Sequence, residues 1–189
     1  GLSMDLQRLN GTSFAVTGPA PFLPIAQALV VEMGGEPVHV AEADRALYHA
    51  ALAHASNHLV TILGQAQQML ASIGIEDPAH YMGPLVRAAV DNALASGEGA
   101  LTGPVARGDA GTVAAHMRAL GEYAQGEKTG DITDSYAALA HATAKRAHNR
   151  GLLNDEQLER IESLVEPSAN VEYTGDTDDS APENKEFSS

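Results

Sequence analysis

Tyr48, His49, His54, Ser56, Asn57 and His58 form the densest group of chemically capable side chains in this 189-residue sequence. An imidazole titrates near neutrality and can pass a proton to a reacting oxygen or nitrogen, and an asparagine amide can orient a hydroxyl or carbonyl. The surrounding pattern is helical. Residues three, four, seven or eight apart share a helix face, so His49 and Asn57 fall together and His54 lies three residues from Asn57. His49, His54 and Asn57 are therefore the candidate catalytic residues, with Ser56 as a neighbouring substrate contact. The same side chains could instead bond to adjacent helices or face water. His54 and His58 have the four-residue spacing of paired metal ligands, but no intervening Glu, Cys or third ligand accompanies them, and no metal site is expected. His39, His80, His116, His141 and His148 are scattered and read as surface or packing residues.

The second candidate is the stretch "LTGPVARGDAGTV" from Leu101 to Val113. Its glycines permit close approaches and unusual backbone angles, Pro104 fixes one φ, and Asp109 stands where a helix cap belongs. Thr102, Gly103, Arg107 and Thr112, with the backbone N–H groups of the helix that follows, could form a pocket wall for a carboxylate or other anion. Alternatively the stretch is a long capping loop in which Arg107 makes an ion pair. An N-cap aspartate competes with an anion for the same amides, which favours Asp109 as architecture.

These residues must be positioned by a mostly helical chain. "SFAVTG", "PFLPIAQALVVEMGG" and "EPVHV" read as strand, helix and strand, a parallel βαβ unit that cannot stand as a two-stranded sheet in water. Five helices are expected after Ala43. They comprise about thirty residues ending at Gly74, then Pro78 to Gly97, then three begun by Asp109, Asp131 and Asn154. Asn154 and Gln157 have capping-box spacing. Gln125 to Gly130 reads as a polar link.

Composition narrows the function. Apolar residues make up 44% and aromatic residues only 4%, which suits closely packed helices. Of the net charge of -14, the seven acids and one lysine from Glu166 onward contribute -6, leaving -8 for the rest. Neither part suits a phosphate backbone, so no nucleic-acid partner is expected. The absence of cysteine excludes disulfides and thiolate chemistry and suits the cytoplasm. No apolar run approaches the length of a membrane span. Neither G-x-G-x-x-G after a strand nor G-x-x-x-x-G-K-[ST] is present, and no Ser occupies a nucleophile elbow.

The βαβ unit, "ALYHAALAHASNHLV" and "ALTGPVARGDAGTV" together resemble the C-terminal part of a little-characterised family of Rossmann-like oxidoreductases. That family lies in the 6-phosphogluconate dehydrogenase-like superfamily, related to pyrroline-5-carboxylate reductase and ketopantoate reductase. The resemblance covers roughly Thr12 to Gly121. It implies an NADP-binding Rossmann domain ahead of a helical dimerisation domain, with the cofactor fingerprint upstream of Gly1. In pyrroline-5-carboxylate reductases a Ser/Gly-rich entry to the long helix and a "TSPGGTT"-like loop line the substrate site, and this chain has His54 to Asn57 and Leu101 to Val113 in similar places. Ketopantoate reductase-like enzymes place a Lys four residues before an Asn on this helix. Here Asn57 is preceded by Ala53, so the resemblance transfers the acid role to His49 or His54.

The expected architecture is mainly α, a helical dimerisation domain of the 6-phosphogluconate dehydrogenase C-terminal type preceded by a βαβ remnant of a Rossmann domain. Residues 1–41 would end the cofactor domain, 42–166 would form the helical domain, and 167–189 a disordered acidic tail. The expected function is the substrate-binding and dimerisation part of an NADP-dependent reductase acting on a small carbonyl or imine. The chain alone is expected to be inactive. The alternative is a non-catalytic dimeric scaffold or ligand sensor.

Overall fold

The computed structural model describes residues 10–126 and 130–166. The tail expected to be disordered lies outside the described residues. The chain divides into two compact units, 1–86 and 87–189. No helix among the described residues is long and apolar enough to cross a membrane.

The first unit opens with the expected βαβ arrangement. Strands β1 (Ser13–Val16) and β2 (Glu36–His39) pair in parallel, Ser13 opposite Glu36 and Val16 opposite His39. Helix α1 (Leu23–Glu32) connects them, with Pro24 in its first turn, where a missing N–H costs nothing. Val16 and Val30 are the buried apolar side chains here among the described residues, with Gly35 buried beside them, while Phe22, Ile25 and Leu29 remain exposed. That is the thin core expected of two strands with one covered face.

A short 3₁₀ turn, Glu42–Asp44, leads into α2 (Arg45–Ser72), and α3 follows (Pro78–Ser96). Asp77 precedes α3 and accepts the His80 backbone N–H at 3.0 Å, satisfying one of the donors orphaned at a helix start. Neither helix contains a buried residue. Leu47, Leu52, Val60, Leu85 and Leu94 are all exposed, Leu94 to 82%.

The second unit holds the larger core. Helices α4 (Ala110–Gly126), α5 (Gly130–Asn149) and α6 (Asp155–Val165) pack against one another. Ala137, Ala140, Ala144 and Ala147 recur at helical spacing on α5 and are all buried, so a stripe of small residues lets its neighbours approach closely. Val113 from α4 and Ile161 from α6 are fully buried against this stripe. The polar link expected from Gln125 is shorter than read, since α4 continues through Gly126 and α5 begins at Gly130. Asn154 and Gln157 form the expected capping box, with reciprocal bonds of 2.8 and 3.1 Å. His148 meets Asp155 at 2.8 Å and His141 meets Glu162 at 3.5 Å, joining α5 to the α6 segment.

Candidate functional site

The carboxyl ends of β1 and β2 open onto a cleft of about 650 Å³ whose walls include Thr17, Val40, Arg45, Tyr48 and His49. Thr17 donates its hydroxyl to the Val40 carbonyl at 2.6 Å, tying the two strand ends together. The first turns of α2 supply the remaining polar groups. Arg45 is held by Glu42 at 3.0 Å, while His49 lies one turn further along the helix and lines the cleft. In open parallel sheets, ligands bind in the crevice outside the carboxyl ends of the strands.

The rest of the polar stripe is exposed and lies beyond that cleft. Asn57 follows His49 by eight residues, about 12 Å of helix rise. The His54 and His58 Nδ1 atoms stand 2.8 Å apart with their rings edge to face, so one ring donates to the other and both Nε2 atoms stay open. Ser56 Oγ donates to the Leu52 carbonyl at 2.7 Å and lies 3.2 Å from the Asn57 side-chain oxygen. Among the described residues the Asn57 amide nitrogen has no hydrogen-bond partner. Thus the helix pairs His54 with His58 and Ser56 with Asn57, and His49 alone of the three catalytic candidates lines the cleft. Among the described residues no three metal-ligating side chains cluster.

The loop from Leu101 to Asp109 is built inward as well as outward. Val105 and Ala106 are buried in the helical core, and hydrogen bonds from Arg107 N to Gly103 O and from Asp109 N to Pro104 O coil the segment into turns. Gly103 and Gly108 have φ of +98° and +69°. Asp109 caps α4 as its position implied, accepting both the backbone N–H and the hydroxyl of Thr112. These bonds hold its carboxyl below the usual carboxylate range, with Arg107 and His116 adding smaller electrostatic contributions. Thr112 is therefore engaged in the cap. Thr102 and Arg107 are exposed, and the Arg107 guanidinium makes no ion pair or hydrogen bond among the described residues.

One arrangement escaped the reading of the sequence. His116 Nδ1 on α4 meets the Tyr136 hydroxyl on α5 at 2.8 Å, edge to face, at the side of a cleft of about 300 Å³ that also includes Thr102 and Thr143. Burial pushes the Tyr136 phenol up from its ordinary pKa. Twenty residues separate the partners, and no periodicity within either helix announces the pairing.

Comparison with solved structures finds a likeness to the crystal structure of protein TM1727 from Thermotoga maritima, at 26% identity and a TM-score of 0.62. The match covers 76% of this chain and 57% of TM1727, so the chain spans little more than half of that protein's length. No curated protein matches. The family described as "Domain of unknown function (DUF2520)" matches residues 12–143, which include β1, α1, β2, the whole polar stripe, the loop and the His116–Tyr136 pair. The chain belongs to this family.

Proposed function

We propose that this chain is the substrate-binding and dimerisation part of a cytoplasmic NADP-dependent oxidoreductase that reduces a small carbonyl or imine compound. The relation to pyrroline-5-carboxylate and ketopantoate reductases within the 6-phosphogluconate dehydrogenase-like superfamily is part of this proposal. The observation that carries it is the cleft at the carboxyl ends of two parallel strands with His49 in its wall. A titratable donor at that point of an α/β unit is where a reduced substrate would need its proton.

His49, in the cleft wall, is the proton donor to the developing oxygen or nitrogen anion; further along α2, His54 is the alternative donor, with Asn57 and Ser56 as the polar groups beside it. Considered by itself, the loop of the second unit offers Thr102, Gly103 and Arg107 as contacts for a carboxylate-bearing ligand, with Thr112 shaping the helix start beside them. The chain has no glycine-rich phosphate cradle, and the cationic residue of the cleft, Arg45, is paired with Glu42. These residues therefore do not fit a whole dinucleotide, and the proposal concerns the chain acting with a cofactor-binding Rossmann domain. NADPH bound by that other domain would supply the hydride.

The unburied apolar length of α2 and α3 favours a homodimer. It equally supports the second reading, a dimeric scaffold or ligand sensor without catalysis. The test is NADPH consumption by a protein joining this chain to such a domain, with a panel of 2-oxo acids and cyclic imines. His49→Gln or His54→Gln is expected to lower kcat by about 10²-fold or more, and Arg107→Ala to raise KM. Bound NADPH with no turnover across the panel, or full rates in both histidine variants, would favour the scaffold.

A further inference from the structure

We propose that the cleft between the Thr102–Val105 loop, α4 and α5 binds a small, uncharged, largely apolar molecule bearing one carbonyl group, whose oxygen is held by the His116–Tyr136 pair. Its floor is made by Pro104, Val105, Leu139 and Ala140, and no Asp, Glu, Lys or Arg lines it. A charged body would therefore lose hydration there without gaining a partner. The volume, about 300 Å³, lies at the lower end of small-molecule sites, whereas a partner helix with side chains is about 10 Å across.

The pair supplies the donor. If the Tyr136 hydroxyl donates to His116 Nδ1, the imidazole carries its proton on Nε2; if Nδ1–H donates instead, the phenol proton is free. Either arrangement leaves one N–H or O–H beyond the bond between the rings. Partial burial keeps the phenol protonated through the neutral range, so the donor persists. The Thr102 and Thr143 hydroxyls add polar points on the same lining. This inference does not depend on the reductase reading, because it needs neither cofactor nor turnover.

The test is a methyl NMR titration of the full chain with cyclohexanone, and separately with methylenecyclohexane, which has the same shape but no oxygen. Cyclohexanone is expected to shift the methyl signals of Val105, Leu139 and Ala140 in a saturable manner. His116→Leu combined with Tyr136→Phe, which removes both possible donors, should lower the ketone-to-hydrocarbon affinity ratio about three- to tenfold. Absence of saturable shifts with cyclohexanone in the unmodified chain overturns the proposal even if the double variant fails to fold. So does an unaltered affinity ratio in the double variant. Movement of the same signals with protein concentration alone would assign the cleft to contact between copies and likewise overturn it.

Discussion

Asp109 holds Thr112 twice: one carboxylate oxygen accepts the backbone N–H at 3.0 Å and the other accepts the hydroxyl proton at 2.6 Å. A single side chain thus starts α4 and fixes the last residue of the loop. Asp109→Ala should lower the melting temperature by about 2–4 °C, measured by circular dichroism. Because the folded carboxyl lies below its ordinary value of 3.8, its contribution is fully present above that value and is lost as pH falls through the folded pKa. The wild type and Asp109→Ala should therefore converge in stability on acidification below about pH 3.8, and a constant gap would contradict the cap.

The two glycines of the loop separate strain from crowding. A Cβ on Gly103 meets nothing within 4 Å, so Gly103→Ala carries only the cost of a positive φ, about 1–2 kcal/mol. A Cβ on Gly108 would stand 2.7 Å from Gln157 Nε2 and 3.1 Å from a Leu153 methyl. Gln157 cannot simply swing aside, since its side-chain oxygen completes the Asn154 capping box. Gly108→Ala should thus cost about 1–3 kcal/mol more than Gly103→Ala in urea unfolding. Equal losses would show that α6 yields freely.

Arg107 gives the complementary result. Its guanidinium is exposed and without a bonded partner among the described residues, so Arg107→Ala should leave the urea midpoint within about 0.5 kcal/mol of wild type. If the loop holds a carboxylate, pyruvate should bind the variant about tenfold more weakly by calorimetry. A folding loss matching that of Asp109→Ala, with unchanged pyruvate affinity, would make the loop a cap and nothing more.

Helices α2 and α3 predict association. Leu52 and Leu85 are exposed to 52% and 74% on helices with no buried residue. Sedimentation at micromolar concentration should give a dimer, the commonest closed assembly, and Leu52→Glu with Leu85→Glu should shift it to monomer. A wild-type monomer under the same conditions would remove the basis for the assembly.

Much of the architecture was legible because its signals are local. Pro78, Gly74 and the Asn154–Gln157 pair mark helix ends by chemistry that acts within a few residues, and all three lie at the boundaries observed. The strand-helix-strand order was likewise readable from β-prone runs flanking a helical one. The cap role of Asp109 followed from position alone. What depends on packing was hidden. Nothing in "GPVAR" distinguishes Val105 and Ala106, which face the core, from an exposed linker, and His116 acquires Tyr136 only when α4 and α5 meet. The spacing of His49 from Asn57 identified a shared helical region, but it could not tell that His49 lines a cleft while Asn57 lies on an exposed surface.

The pairing of β1 with β2 has one further consequence. Among the described residues each strand has a neighbour on one side only, so both outer edges present rows of free backbone N–H and C=O groups. Such an edge does not discriminate by side chain: it templates whichever extended segment arrives first. The strands are only four residues long, which limits the grip of any single intruder. Among the described residues the sheet edges are nonetheless a point where edge-to-edge pairing between copies would start in concentrated solution, and a short peptide with β-branched residues would act there as a stopper by capping the edge.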